Sequence, residues 1–376
     1  MSGVLQLIPT QRAPHVAVPR TPYLDLDVPA AVTRYRRVAG CLPGTAVHYA
    51  VRANPEPALL AALAAAGCRF DVAGPAEVVA VLRAGAAAGD LVYSSPVKRR
   101  QDIVFAARLG VRVFVVDSIE ETQKVAAAAP GSVVLCRILT SEDGSDLPLS
   151  RRYGCTPRQA DHILRSAATV GLQAAGLSFH VGSQREPSAW EGPIAASARV
   201  FATLRADGLE PWLLDLGGGF PARLDEGCLP LAAYGAAIET SLRRHFGDRR
   251  PATMVGPGRA VVADAGTLVT SVVAVLWRGD TRWVFLDAGG FTGLGATRDE
   301  AMRYRITTTA VRGPTGPCVL AGPACRGADV LDEQAPVQLP RALAEGDVVR
   351  LHASGAHPGV NRFPSLPTRL VSMAAP

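Results

Sequence analysis

The sequence predicts an α/β fold, a (β/α)8 TIM barrel followed by a C-terminal antiparallel β-domain. Between about residues 45 and 255, eight short β-branched runs alternate with Ala-rich stretches of helical character. Strands that alternate with helices form parallel βαβ units, and eight such units close into a barrel. The length of 376 residues suits two domains, or one large barrel with an appendage, at roughly 150 residues per domain. A doubly wound open sheet is the alternative at this level of argument.

The predicted barrel strands each end in a polar or glycine residue, where a loop leads into the next helix. These strands lie at 46–51, 68–72, 91–94, 111–116, 133–138, 175–180, 212–216 and 253–255. The predicted helices between them lie at 57–66, 75–84, 100–109, 119–129, 157–169 and 190–206.

A different pattern begins after Arg259. Extended segments are separated there by Gly and Pro turns, with few helical windows, which is typical of an antiparallel β-domain. They lie at 261–276, 282–286, 305–311, 318–321 and 347–351. The segment 22–27 precedes the first barrel strand and is expected to join this β-domain. The expected domains are an N-terminal segment at 1–30, the barrel at 31–260 and the β-domain at 261–376.

The composition excludes several classes of protein. Hydrophobic residues make up 48% of the chain and charged residues 19%, which excludes disorder. The longest apolar stretches, such as 261–277, contain Asp, Gly or Thr and are shorter than the ~20 residues of a membrane-spanning helix. The N-terminus has no basic region leading into an apolar core, so no secretory signal is expected. The sequence therefore predicts a cytoplasmic protein without a membrane span.

The charged residues and cysteines narrow the possible ligands. The net charge of +6 comes from 39 basic and 33 acidic residues, but the arginines are scattered as singles and pairs. This dispersal favours a solvated surface over a nucleic-acid-binding stripe. The seven cysteines are widely spaced without a C-x-x-C, which favours buried thiols over disulfides or a metal site. Only two of the 39 basic residues are lysines, Lys98 and Lys124.

Glycine-rich runs follow the last two predicted barrel strands. In such barrels the functional groups lie after the C-terminal ends of the strands. The runs Gly217, Gly218, Gly219 and Gly256–Pro–Gly258–Arg259 stand where barrels commonly bind phosphate, because a backbone without Cβ atoms presents several N–H donors to an anion. Each run alone is equally typical of a tight turn, and their joint position favours a phosphate site.

Three other polar residues follow predicted strands at the same end of the barrel. His180 and Ser183 come after the sixth strand, and Arg137 comes at the end of the fifth. His180 fits either a ligand-contacting group or a core histidine that is satisfied by the backbone. Arg137 fits either an exposed rim cation or a group that faces an anionic ligand.

Nine motifs in the chain resemble those of the fold-type III, pyridoxal-phosphate-dependent decarboxylases of ornithine, lysine, diaminopimelate and arginine. They occur in family order and cover nearly the whole chain, and the ornithine-type members are the most similar. The motifs are HYAVRANPEP (48–57), FDVAGPAEV (70–78), SSPVKRRQDI (94–103), LSRRYGC (149–155), SFHVGSQ (178–184), LDLGGGFP (214–221), GPGR (256–259), GPAC (322–325) and GAHPGVNRFP (355–364).

The resemblance implies a fold, an assembly and residue roles. It implies an alanine-racemase-like barrel with a C-terminal β-domain, and a homodimer whose composite active sites form at the subunit interface. His180 would stack on the pyridine ring, and Cys325 would reach the substrate from the partner subunit. Asp287 and Arg326 are the candidate substrate-contacting residues. The implied cofactor-binding residues are Asp71, Glu77, Arg137, His180, Ser183, Gly217, Gly218, Gly219, Gly256, Gly258, Arg259 and His357.

The chain departs from the family pattern at the residue that defines its chemistry. Where the family motif reads Y-A-V-K, this chain has Arg52. The family lysine forms a Schiff base with the cofactor, and a guanidinium with a pKa above ~12 is never the free amine that this condensation needs. Lys98 lies in a different motif and Lys124 in a predicted helix, so neither is expected to replace it.

Three further departures concern the cofactor and the substrate. Gly256 replaces the family acid that pairs with the pyridine nitrogen, which weakens the ring as an electron sink. Arg326 stands beside Cys325 where the family has an Asp for the distal amine of the substrate, a change that favours an acidic group. His357 replaces a tyrosine that assists cofactor binding.

Three functions are compatible with these departures. The first is a divergent binder or enzyme that holds pyridoxal phosphate noncovalently, or another phosphorylated or carboxylate ligand, with Arg52 and Arg326 as carboxylate clamps. The second is a pseudoenzyme that pairs with, or regulates, an active paralogue as a heterodimer. The third is an ordinary amino-acid decarboxylase in which Arg52 is a Lys-to-Arg change.

Overall fold

The barrel consists of eight parallel strands that close on themselves. The computed structural model describes residues 20–140, 152–222, 229–294, 304–310, 313–327, 329–331, 333, 336–358 and 366–372. The barrel strands are β2 (Thr45–Ala50), β3 (Arg69–Val72), β4 (Leu91–Tyr93), β5 (Val113–Val116), β6 (Val133–Arg137), β7 (Gln173–Ser178), β8 (Leu213–Asp215) and β9 (Ala252–Val255). Each strand pairs with its neighbours, and β2 pairs with β9 to complete the ring. The predicted closed barrel is confirmed.

Helices cover the outside of the barrel. They are α1 (Val28–Cys41), α2 (Pro57–Ala65), α3 (Pro75–Arg83), α4 (Arg100–Arg108), α5 (Ile119–Ala128), α6 (Pro157–Thr169), α7 (Glu191–Ala206), α8 (Leu231–Phe246) and α9 (Arg259–Val262). Local capping starts several of them: the Asp27 side chain accepts a hydrogen bond from Ala30 N at 2.8 Å, and Thr156 with Gln159 forms a capping box on α6. None of the described helices is long and apolar enough to cross a membrane.

The second unit is a sheet of nine strands within the described residues. It contains β1 (Tyr23–Asp27), β10 (Gly266–Arg278), β11 (Thr281–Leu286), β12 (Ile306–Thr308), β13 (Thr315–Ala321), β14 (Val330–Leu331), β15 (Val337–Pro340), β16 (Val348–His352) and β17 (Thr368–Val371). β1 lies before the barrel in sequence but pairs with β10 and β17. The sheet is mostly antiparallel, as predicted.

Several details of the structure differ from the prediction. The β1–β17 and β11–β13 pairs are parallel, because long connections allow the chain to cross over before each pair forms. Residues 261–265, which were predicted to begin a strand, are instead helical in α9 and the following 3-10 turn. This stretch is apolar except for Asp264, and periodicity alone does not distinguish a buried strand from a buried helix. The helices α1 and α8 were not predicted.

Some predicted features lie outside the described residues. These are most of the N-terminal segment (1–19), part of the LSRRYGC motif (149–151), Cys228, position 311 of a predicted strand, and 359–364 of the last motif.

The hydrophobic core is divided according to the layers of the fold. The largest cluster lies between the barrel strands and the surrounding helices, with Trp190 and Phe201 among its fully buried members. A small cluster, containing Val115 and Met254, fills the barrel interior. A third cluster lies in the β-domain. The barrel is therefore packed inside, and a ligand has room only at its mouth.

The packing of α8 against the end of α1 predicts a loss of stability in Gly235→Ala. A Cβ at Gly235 would lie 2.0 Å from the carbonyl oxygen of Cys41. Although alanine favours a helix by about 1 kcal/mol, we expect this clash to cost a net ~1–3 kcal/mol in the free energy of unfolding, measured by urea denaturation. Gly40→Ala in α1 is the control, because a Cβ there meets nothing within 4 Å. Equal stability of the two variants would contradict the packing.

Candidate functional site

The loop after β8 approaches the loop after β7 so closely that only glycine fits at their contacts. Gly217 has φ = 67° and Gly219 has φ = 106°, in the left-handed region that favours glycine. A Cβ at Gly217 would lie 2.0 Å from the carbonyl oxygen of Phe179, and one at Gly219 would lie 2.3 Å from that of Gly182. These glycines are therefore required by the backbone geometry of the mouth.

The neighbouring glycines bring the two loops and His180 together. A Cβ on Gly218 would lie 2.7 Å from the carbonyl oxygen of Gly256 and 3.0 Å from Nε2 of His180. A Cβ on Gly258 would lie 2.8 Å from Cβ of Ala53. The structure thus places both predicted glycine runs and His180 at one point of the barrel mouth.

Arg259 adds a cation to the space lined by the glycine runs after β8 and β9, which is called the cradle. It begins α9 directly after the second glycine run, and its Nη2 donates to Oγ of Ser183 at 2.7 Å. A guanidinium, a hydroxyl and a glycine-rich backbone are the donors that bind phosphate groups in proteins. The predicted residues Ser183 and Arg259 therefore lie together at the cradle.

His180 is held as a neutral imidazole. Its Nδ1 accepts a hydrogen bond from the backbone N–H of Gly182 at 2.9 Å, so the ring proton is on Nε2. Burial lowers the pKa of His180 well below its usual value, and the positive charges of Arg137, Arg52 and Arg259 lower it further. The ring therefore faces the mouth as a neutral group with a donor at Nε2.

His357 brings the β-domain to the same mouth. It follows β16, and its backbone N–H donates to the carbonyl oxygen of Ala53 at 2.6 Å. Nearby, Nδ2 of Asn54 donates to the carbonyl oxygen of Gly355 at 2.8 Å. Burial, with the charges of Arg259 and Arg52, lowers the pKa of His357 to about 4. The predicted position of His357 near the cradle agrees with these contacts.

Arg52 follows β2 and forms an ion pair inside the mouth. Its Nη1 lies 3.1 Å from Oδ1 of Asp71, which also accepts a hydrogen bond from Ser94. Desolvation acts to lower the pKa of Arg52, but the carboxylates of Asp71, Glu77 and Asp215 outweigh it and raise this pKa. The Arg52 side chain remains 39% accessible. It is a permanent cation that faces an open space.

Two further carboxyl groups are buried around this ion pair. Asp215 accepts hydrogen bonds from Oγ of Ser178 at 2.8 Å and from the Gly217 N–H at 2.9 Å. Burial raises its pKa to about 6. Glu77 accepts from the Ala73 N–H at 2.7 Å, and burial raises its pKa as well. Asp215 was not among the predicted site residues, although its position at the end of a barrel strand could have indicated it.

Both lysines of the chain are bound elsewhere. Nζ of Lys98 donates to the carbonyl oxygens of Ser95 and Val115, at 2.9 and 2.6 Å, and lies 3.0 Å from Oε1 of Glu121. Burial lowers the pKa of Lys98 to about 8. Nζ of Lys124 donates to the carbonyl oxygen of Lys98 and contacts Glu121. The two amines stabilise the loop after β4 and do not face the mouth.

The remaining predicted residues have their described contacts in the β-domain. Cys325 is an exposed free thiol, and the Arg326 guanidinium lies 5.1 Å from the centre of the Phe291 ring. Asp287 accepts hydrogen bonds from Oγ1 of Thr270 and from the Ser271 N–H. The structure does not bring these three to the barrel mouth of the same chain. Within the described part of the chain, no group of three or more His, Cys, Asp or Glu residues is arranged to hold a metal.

Residues 30–263 match the family model described as "Pyridoxal-dependent decarboxylase, pyridoxal binding domain". The chain belongs to this family. Its described barrel and mostly antiparallel sheet have the fold-type III decarboxylase architecture. The resemblance that the sequence motifs indicated is thereby confirmed.

Individual family members span most of the chain. Lysine/ornithine decarboxylase of Selenomonas ruminantium is 33% identical over 345 residues, which cover 91% of this chain and 86% of that protein. The solved structure of lysine/ornithine decarboxylase from Vibrio vulnificus, complexed with cadaverine, has a TM-score of 0.84 at 31% identity, covering 94% of this chain and 95% of that chain. Antizyme inhibitor 2 of Xenopus laevis is 30% identical over 257 residues, which cover 68% of this chain and 56% of that protein.

The residues at the mouth fit one part of the family cofactor and not another. Glycines whose Cβ atoms would collide with backbone, together with Arg259 and Ser183, fit a phosphate group. A covalent link to the protein does not fit, because Arg52 occupies the end of β2 and both lysines of the chain are engaged away from the mouth.

The buried carboxyl group of Asp215 predicts a pH dependence of stability. Its raised pKa of about 6 means that the native state keeps the proton while the unfolded chain releases it near pH 4. The stability that this proton contributes is present below pH 4 and is lost as the pH rises through about 6. In urea denaturation, the free energy of unfolding of the wild type minus that of Asp215→Asn should fall by an amount on the order of 1–3 kcal/mol between pH 4 and pH 7.

Glu210→Gln is the control for removing one charge, since the Glu210 side chain is 81% exposed. A difference between the wild type and Asp215→Asn that stays constant with pH would show that Asp215 has an ordinary pKa.

Proposed function

We propose that the protein binds pyridoxal phosphate, or another phosphorylated or carboxylate ligand, noncovalently at the barrel mouth, and that it is not an ordinary ornithine or lysine decarboxylase. The ion pair of Arg52 with Asp71, at 3.1 Å, is the observation that carries this proposal. It puts a permanent cation at the end of β2, where the family motif has its lysine, and a guanidinium does not condense with an aldehyde as an amine does.

The phosphate cradle supports retained binding. The Arg259–Ser183 pair offers a guanidinium and a hydroxyl, and His180, whose Nε2 lies close to Gly218 of the run after β8, offers a neutral ring. Close backbone contacts at Gly217 and Gly219, which exclude a Cβ atom, fix the shape of this loop. These features support a phosphorylated ring as the ligand.

The environment of the ring supports altered chemistry. Bound pyridoxal phosphate supplies an electron-withdrawing ring, which works best when a carboxylate holds its nitrogen protonated. Gly256 provides no such side chain, and a Cβ at that position would lie 3.0 Å from Oδ2 of Asp71. We therefore expect weak stabilisation of negative charge on a bound substrate.

The proposed class of substrate is inferred from Arg326. In a homodimer with composite sites, the loop that carries Cys325 and Arg326 would face the mouth of the partner subunit. A guanidinium there would repel the distal amine of ornithine or lysine and attract a carboxylate. We accordingly propose an acidic substrate or ligand rather than a basic one.

A non-catalytic, regulatory protein is the second candidate. Antizyme inhibitor 2 of Xenopus laevis, whose name denotes a regulatory protein, matches 68% of this chain. This candidate predicts that the mouth binds no phosphorylated ligand tightly.

Titration with pyridoxal phosphate separates the two candidates. For the wild type we expect saturable binding by absorbance that is lost on dialysis, and no lysine adduct by denaturing mass spectrometry after borohydride reduction. For Arg52→Lys we expect a reducible adduct at residue 52, because a primary amine then lies at the mouth. The background is low, since the chain contains only two lysines, both engaged with Glu121.

Arg99→Lys is the matched control, because it adds a lysine at an exposed ion pair with Asp102 and should give no specific adduct. Absence of saturable binding would reject the proposal in favour of the regulatory candidate. A lysine adduct on the wild type would show that Lys98 or Lys124 serves as the attachment site.

Restoring the lysine alone should not restore decarboxylation. We expect Arg52→Lys to release carbon dioxide from ornithine or lysine at least about a hundredfold more slowly than a lysine-bearing relative under the same assay, because Gly256 and Arg326 are unchanged. Release of carbon-14 dioxide from labelled substrate measures this rate. High activity after this single change would identify the chain as an ordinary decarboxylase with a Lys-to-Arg change.

A further inference from the structure

Arg137 is a guanidinium without a polar partner in the barrel mouth. It ends β6, beside Ser178 of β7, at the same end of the barrel as Arg52. Among the described residues its guanidinium has no hydrogen bond or ion pair, and it lies 5.7 Å from the centre of the Tyr153 ring. Arg137 is only partly exposed, so an anion that reached this guanidinium would form a charge-assisted contact shielded from water.

The carboxylates near Arg137 are held by other donors. Asp215 accepts from Ser178 and the Gly217 N–H, and Asp117 accepts from the Gly154 N–H at 2.9 Å. Asp71 is paired with Arg52 and Ser94. These groups act on Arg137 only through longer-range attraction, while burial and the charge of Arg52 lower its pKa. The charge of Arg137 is therefore not neutralised by direct contact within the described chain.

Arg52 has further donors at the same end of the barrel. A guanidinium has five N–H donors, more than the single carboxylate of Asp71 accepts. The side chain is 39% accessible, and its charge acts on both Arg137 and His180. Guanidinium groups bind carboxylates through paired hydrogen bonds, and two of them lie at this end of the barrel.

We propose that Arg52 and Arg137 form a carboxylate-binding subsite beside the phosphate cradle, so that the ligand is one molecule with both a phosphate and a carboxylate. The proposal rests on the proposed function, because the phosphate of that ligand lies in the cradle of Gly217, Gly219 and Arg259. The chemical class is a phosphorylated ring that carries the carboxylate of an amino acid. Arg259 does not belong to this subsite, since its Nη2 is directed to Ser183.

A pair of matched ligands tests the subsite. N-(5′-phosphopyridoxyl)glycine has a phosphate and a carboxylate, and N-(5′-phosphopyridoxyl)glycinamide replaces the carboxylate with a neutral amide of the same size. We expect the glycine conjugate to bind the wild type at least about tenfold more tightly by isothermal titration calorimetry, the gain of one charge-assisted contact. The ratio of the two dissociation constants isolates the carboxylate from the ring and phosphate.

Substitutions test which residues cause the difference in affinity between the two conjugates. Arg52→Gln and Arg137→Gln should each reduce the ratio to near one, because each removes a donor to the carboxylate that the glycinamide conjugate lacks. Arg137→Lys keeps the charge but loses the paired donors, and it replaces Arg137→Gln if that variant does not fold by circular dichroism. Arg99→Gln removes one exposed positive charge outside the mouth and should leave the ratio unchanged.

The outcomes separate the subsite from the proposed function. Equal binding of the two conjugates to the wild type would overturn the subsite and leave the phosphate site intact. An equal loss of both conjugates in Arg137→Gln would mean that Arg137 contacts the ring, which also overturns it. Failure of both conjugates to bind the wild type would overturn the proposed function and the subsite together.

Discussion

Pairing of β2 with β9 closes the barrel, and the arrangement of the mouth depends on this closure. The register aligns Thr45 with Thr253, whose hydroxyls lie 2.7 Å apart, and the Ala50 N–H extends the contact to the carbonyl oxygen of Pro257 at 3.1 Å. Arg52 at the end of the first barrel strand is thereby placed beside the glycine run that follows the last one. Residues more than 200 positions apart in sequence meet because eight parallel strands form a ring.

The electrostatics of the mouth follow from crowding charges into this ring. Asp71, Glu77 and Asp215 raise the pKa of Arg52. Burial lowers the pKa of His180 and of His357; Arg52 and Arg259 lower both further, and Arg137 also lowers that of His180. Exchange of a lysine for an arginine preserves the positive charge that these carboxylates require. It removes the free amine, and with it both the formation of a covalent bond to an aldehyde and proton transfer through that amine. Under the proposed function, the exchange therefore alters the reaction without dismantling the site.

Asp71 connects two of the departures from the family pattern. Its Oδ1 pairs with Arg52, and its Oδ2 lies where a side chain at position 256 would begin. A larger acidic residue at 256 would bring a second carboxylate against Asp71, at an energetic cost that rises with burial. Gly256 and Arg52 are thus linked because both lie next to Asp71. The spacing of these residues in the sequence does not reveal this link.

The sequence by itself determined the eight-stranded barrel, its glycine runs and the arginine at position 52, because period, glycine and residue identity are local properties of the chain. It did not locate α1 and α8, nor the helical form of 259–262, because a short apolar run fits a strand as well as a helix. Only the tertiary structure decided that both lysines are bound to Glu121, that Asp215 is buried at the mouth, and that Arg137 has no polar partner among the described residues. These properties depend on distances between strands and helices remote in sequence, and burial and pairing are set by those distances rather than by the identity of a residue alone.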